Sequence, residues 1–169
     1  MNHEESILQQ QCVAWFRAQY PQYAMLLIHP INEGSGHTAI DRRRQGIHKA
    51  EGAVAGVVDL QLFMSADYKV DYNNGGITSV VSYSGLGMEL KTKKGRQSQQ
   101  QQDFQKMYEA AGYRYVIIRT FEEFRHIVND YIAHVPEVLR RRIAGAHVQV
   151  TRDAEERERA YFHKMINKE

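Results

Sequence analysis

The chain has one cysteine, Cys12, in 169 residues, so neither an internal disulfide nor a Cys-rich zinc site is open to it. That usage fits a reducing, cytoplasmic compartment, bacterial or phage-infected. No apolar run approaches the roughly 20 residues that span a bilayer, so no membrane partner is expected. The segment MNHEESILQQ carries two acids and no basic stretch, so no secretory signal is expected there. The histidines form no HExxH, no HxH and no His–Cys pair, and read as surface or packing residues. Neither GxGxxG nor GxxxxGK[ST] occurs, so no nucleotide cofactor is implied. There is no internal repeat.

Net charge is only +2, and hydrophobic and charged residues make up 43% and 25%, an ordinary globular composition. The distribution of charge says more than its sum. Residues 91–119 hold seven bases (Lys91, Lys93, Lys94, Arg96, Lys106, Arg114, Arg119) against two acids. A second cluster, Arg42, Arg43, Arg44 and Lys49, stands against Asp41. Such clusters suit a polyanion or a solvated surface equally well.

The pattern of the chain predicts a mixed α/β order. A helix runs over about 4–19, with Leu8, Cys12, Trp15 and Phe16 at helical spacing and Pro21 as its stop. A short strand follows at 24–28, then a Gly-rich, charged loop with a short helix near 38–50. A strand spans 57–63 with Asp59 in its middle. Asn73-Asn74-Gly75-Gly76 marks a tight turn, so 67–83 reads as a β-hairpin, inserted at about 64–85 and extending the sheet. In the strand 85–91, Leu86, Met88 and Leu90 face one way, Glu89 and Lys91 the other. A helix from Ser98 to about 111, a strand at 113–119 and a helix at 121–134 complete the core, the last opened by the capping box Thr120/Glu123. Beyond Pro136 the chain reads as helical pieces, 137–144 and 153–166. The expected domains are 1–135 and a helical C-terminal extension, 136–169.

Two features carry chemistry. Asp59 is an acid in an apolar strand, which is costly unless it is paired, metal-bound or at a strand end. Glu89 and Lys91 lie on one face about 7 Å apart along their strand, an arrangement that also suits an ordinary solvent-facing pair. Two carboxylates on neighbouring strands can share a hard divalent cation. Such a cation stabilises a phosphoryl transition state and acidifies bound water. A lysine beside them can act on that water or on the developing charge.

Here the chain resembles the virus-type replication–repair nuclease (VRR-NUC) domain of the PD-(D/E)XK superfamily. The matching segments are KAEGAVAGVVDLQLF, GMELKTKKGRQSQQQQDF and AAGYRYVIIRTFEEF, with the first helix and the HPINEG loop also fitting, over about residues 4–135. The resemblance implies a restriction-endonuclease-like core: a mixed central β-sheet flanked by helices. It implies Asp59, Glu89, Lys91 and Gln101 as catalytic residues, though Ser98-x-x-Gln101 is also a capping box. It implies Mg²⁺ or Mn²⁺ held by Glu5, Asp59, Glu89 and the Leu90 carbonyl, and DNA contacts from Asn32, Arg42, Arg43, Arg44, Lys49, Lys93, Lys94, Arg96 and Ser98. Glu5 is preferred to Glu4 as the third carboxylate because, at about 100° per residue, it falls about 35° from the buried stripe and Glu4 about 65°.

Two departures stand out. Val58 occupies the position before the Asp where the family usually has Pro, and Asp59 and Glu89 are 30 residues apart, which the hairpin insertion accounts for. The function so implied is a metal-dependent DNA endonuclease, structure-selective for branched or flapped DNA, in phage replication, recombination or repair. A catalytically inactive nucleic-acid-binding module and a sequence-specific restriction-type endonuclease are the alternatives. The intact Asp59/Glu89/Lys91 set argues against the first. Monomer and homodimer both remain open.

Overall fold

In the computed structural model, residues 3–30, 47–48, 50–72 and 77–166 are described. Helix α1 (His3–Gln19) leads into a 3-10 helix (Pro21–Leu26) and the short strand β1 (Leu27–Ile28). Strand β2 (Leu60–Leu62), the hairpin β3 (Ala66–Tyr72) and β4 (Ile77–Tyr83), and β5 (Leu86–Leu90) follow. Then come α2 (Gln99–Ala110), β6 (Arg114–Ile118), α3 (Phe121–Ala133) and α4 (Glu137–Ile166). Four strands form one sheet in the order β1-β2-β5-β6, antiparallel except for the parallel β5–β6 pair. The parallel pair needs a crossover, and α2 supplies it.

The sheet is covered on both faces. Cys12 and Phe16 of α1 and Phe124, Val128, Tyr131 and Ile132 of α3 pack with Leu60, Leu62, Leu86, Met88 and Leu90. Each fully buried side chain of this size contributes roughly 1.5–3 kcal/mol. Burial pushes the Cys12 thiol up to about 12, which leaves it a packing group. A smaller cluster on the other face joins Val58, Tyr108 and Tyr115, with Phe104 of α2 against it. Covered from both sides and flanked by strands, β5 is buried at all five positions. The ordinary reading of Glu89 and Lys91 as a solvent-facing pair on an edge strand therefore fails.

Four expectations need correction. The strand expected at 24–28 is a 3-10 turn with Pro at its first position, and only Leu27 and Ile28 are extended. The strand expected at 57–63 is confined to 60–62, because the chain bends at Asp59. The hairpin forms at the expected place but does not extend the central sheet; it is a separate two-stranded sheet. Tyr68 draws it onto α3: its hydroxyl donates to Asp130 Oδ2 at 2.9 Å, and its ring stacks on His134 at 3.9 Å. Finally, the two C-terminal helical pieces are one continuous helix of 30 residues. Pairs four residues apart span the expected gap: the Thr151 hydroxyl donates to the His147 carbonyl at 2.9 Å and Gln149 Nε2 to Asp153 Oδ1 at 2.8 Å. The short helix near 38–50 lies almost wholly outside the described residues, as does the hairpin turn 73–76.

Candidate active site

The register of β2 against β5 brings the two acids together. Leu60 pairs with Met88, so one further antiparallel step sets Asp59 across from Glu89. The Leu90 N–H donates to Asp59 Oδ2 at 2.7 Å, which ties the bend at Asp59 to the neighbouring strand. Burial holds the Asp59 carboxyl above the usual carboxylate range; the Leu90 N–H and Lys91 oppose this, and the Glu5 charge adds to it.

Glu89 has no exposed surface, yet it is well supplied with donors. Lys91 Nζ donates to Glu89 Oε1 at 2.7 Å, and the lysine side chain is itself only 11% exposed. Gln101 Nε2 donates to the same oxygen. The Tyr115 hydroxyl donates to Oε2 at 3.3 Å. Burial and the Asp59 charge push the Glu89 carboxyl up to about 7, against the pull of Lys91 and Tyr115.

Gln101 reaches Glu89 because of where α2 begins. Gly56 has φ +83°, and a Cβ there would stand 2.4 Å from the Gln100 carbonyl oxygen. The loop before Asp59 can thus lie directly against the first turn of α2. Gln101 forms the capping box and also contacts Glu89. Its N–H donates to Ser98 Oγ at 3.3 Å, its Oε1 accepts from the Ser98 N–H at 2.9 Å, and its remaining amide group serves Glu89. Ser98 is exposed at the N-cap.

Glu5 is half-buried and Glu4 exposed. Glu5 Oε1 accepts from the Thr92 N–H at 3.1 Å, just beyond the end of β5. Glu4, Glu5 and Leu8 form one side of a cleft of about 530 Å³, with Lys91, Thr92, Lys93, Lys94 and Arg119 completing its lining. Lys93, Lys94 and Arg96 are exposed on the loop that follows β5. Asn32, Arg42, Arg43, Arg44 and Lys49 lie outside the described residues.

Three residues in and around the site were not singled out for it by sequence. Tyr115 has just been placed. Arg119 Nη1 donates to the Thr92 and Gly95 carbonyls at 2.5 and 2.9 Å, fixing the turn that carries Lys93 and Lys94. His29 Nδ1 donates to the Asp59 carbonyl at 2.7 Å. Tyr115 and Arg119 fall in the segment expected as a strand at 113–119, and His29 opens the HPINEG loop, but nothing in the sequence links any of the three to Asp59 or Glu89.

The donor set fits a hard divalent cation. Buried Glu89 and half-buried Asp59 lie beside one ammonium, and their mutual repulsion marks an excess of negative charge that a cation relieves. Among the described residues no three His, Cys, Asp or Glu side chains form a preformed metal cage. Mg²⁺ is commonly held through one or two carboxylates and keeps several waters.

No family model matches the chain, and no curated protein matches it. Among solved structures, one titled "VRR_NUC domain protein" superposes with a TM-score of 0.60 over 80% of this chain and 93% of that one, at 16% identity. The chain therefore shares the VRR-NUC fold, which in this chain is a mixed sheet flanked by helices, with a separate hairpin and a C-terminal helix. Among the described residues no helix is long and apolar enough to cross a membrane.

Proposed function

We propose that the chain is a metal-dependent DNA endonuclease that hydrolyses phosphodiester bonds. The observation that carries this reading is the meeting of half-buried Asp59, buried Glu89 and Lys91 at the edge of a basic cleft. Asp59 and Glu89 would hold Mg²⁺ or Mn²⁺, with Glu5 and the Leu90 carbonyl as further oxygen ligands. The cation supplies charge neutralisation at the phosphoryl oxygens and lowers the pKa of water. Lys91 keeps two donors beyond the one on Glu89, enough to orient a water or to meet a phosphoryl oxygen. Gln101 holds Glu89 in place. Lys93, Lys94, Arg96 and Ser98 bind the phosphate backbone, aided by Asn32, Arg42, Arg43, Arg44 and Lys49. In hydrolysis the water oxygen bonds to phosphorus, the bond to one sugar oxygen breaks, and the water proton leaves with the departing alkoxide or the solvent.

Residues 1–135 would form this nuclease domain and 136–169 a helical extension. The substrate we assign is branched or flapped DNA, in phage replication, recombination or repair. The test is incubation with linear, flapped and four-way-junction DNA in Mg²⁺ or Mn²⁺. Cutting that stops in chelator, and stops with Asp59→Asn or Glu89→Gln in a folded protein, supports the reading. Cutting that persists in excess chelator overturns it, and equal cutting of all three DNAs overturns the structure selectivity.

A further inference from the structure

We propose that Tyr115, held in turn by Gln97, is the positioning residue that fixes the rotation of the Glu89 carboxylate and leaves Oε2 open toward a divalent cation. The inference rests on the nuclease reading of Asp59 and Glu89. It begins from a count of lone pairs. A carboxylate oxygen accepts about two hydrogen bonds. Glu89 Oε1 already takes two, from Lys91 Nζ and from Gln101 Nε2. Oε2 takes one, from the Tyr115 hydroxyl. The oxygen with a lone pair to spare is therefore Oε2, and Tyr115 decides where that lone pair points.

The direction of the Tyr115 bond is itself fixed. Gln97 Nε2 donates to the Tyr115 oxygen at 3.3 Å and to Gln105 Oε1 at 2.8 Å. An amide nitrogen only donates, so the phenolic proton is left for Glu89. The ring is held independently of the hydroxyl. It packs with Val58 and Tyr108, so it also abuts the residue that precedes Asp59. Strand pairing sets Tyr115 beside Gly87, two residues before Glu89, within reach of its carboxylate. Groups that orient a metal ligand typically cost 10- to 100-fold in metal affinity when removed.

The experiment is calorimetric titration of the full chain with Ca²⁺ and with Mn²⁺, for wild type, Tyr115→Phe, Gln97→Met and Asp59→Asn, beside the melting temperature of each metal-free protein. Tyr115→Phe should bind both ions about 10- to 100-fold more weakly with its metal-free melting temperature little changed. Cleavage should recover as the metal concentration is raised. Gln97→Met should weaken binding in the same direction by less, and it carries the test if Tyr115→Phe does not fold. Unchanged affinity in Tyr115→Phe, or in Gln97→Met where that variant must serve, overturns the proposal. If Asp59→Asn binds as wild type does, or wild type binds neither ion, the nuclease reading fails as well. If Asp59→Asn abolishes binding and Tyr115→Phe does not weaken it, the role of Tyr115 alone is lost.

Discussion

The guanidinium of Arg119, just beyond β6, donates to the carbonyl of Thr92, just beyond β5, at 2.5 Å. The same nitrogen reaches the Gly95 carbonyl, while the Thr92 N–H is taken by Glu5. The two peptide groups that flank the Thr92 Cα are thus held from both sides, which ties down the start of the turn bearing Lys93 and Lys94. The guanidinium holds the two N–H groups of that nitrogen in one fixed plane, whereas an ammonium is a compact, strongly hydrated charge on a flexible stem. Arg119→Lys, which keeps the charge, should lower stability by about 1–3 kcal/mol and weaken DNA binding. Charge reversal at Lys93, Lys94 and Arg96 should instead leave the melting temperature alone, weaken binding across sequences and flatten its salt dependence. DNA affinity measured against salt concentration, with melting curves, separates the two. An Arg119→Lys protein equal to wild type in both would make the clamp incidental.

Lys91 invites a different prediction, because its partner is inside the protein. Lys91→Ala should reduce the rate of cleavage about 10²- to 10⁴-fold while DNA binding in Ca²⁺ is retained. Single-turnover kinetics at saturating DNA would read this directly. A loss that appears chiefly as weaker DNA binding would make the lysine a phosphate contact.

What the sequence exposes here is local, and what it hides is long-range. The alternation of Leu86, Met88 and Leu90 against Glu89 and Lys91 needs only neighbours, as do the capping boxes Ser98/Gln101 and Thr120/Glu123; all three are present. Tyr115 and Glu89 are 26 residues apart, and their contact exists only because β6 pairs in parallel with β5 in one register. The hairpin is legible from its turn residues, but its docking depends on Asp130 and His134 of the α3 region, which no local pattern links to Tyr68. The opposite error occurs in α4. Two helical pieces are expected there, whereas the helix runs on through 145–152, where Gln149 and Asp153 pair on its exposed side.

Glu5 offers a discriminating substitution. Its Oε1 accepts from the Thr92 N–H, and a glutamine at this position retains an oxygen that can do the same. If Glu5 only caps that peptide, Glu5→Gln is silent. If its charge serves the cation, as proposed, Glu5→Gln should slow cleavage by about tenfold or more with little change in melting temperature, because an anionic oxygen is lost from a hard-cation site. Glu4→Gln, at the exposed position, should be nearly silent. Rates measured across a range of Mg²⁺ concentrations would decide. The opposite ranking, or two silent variants, would remove α1 from the cation site.

The hairpin anchor should show a pH dependence of its own. Burial works against ionisation of Asp130, but hydrogen bonds from Tyr68 and Arg114 and the proximity of His134 outweigh it and hold the carboxyl below its usual 3.8. A carboxyl whose pKa falls on folding contributes stability that is present above its unfolded value and is lost as pH falls through the folded one. At neutral pH, therefore, the Asp130 bonds to Tyr68 and Arg114 are fully formed. Asp130→Asn should lower the melting temperature there by about 2–4 °C, the scale of a partly exposed interaction in a chain of this length. As pH drops below 3.8 the wild-type protein loses the same charge, so the gap between wild type and variant should close. Melting followed by circular dichroism from neutral pH into acid checks this. A gap that stays constant would mean that the stacked rings of Tyr68 and His134, rather than the Asp130 charge, hold the hairpin on α3.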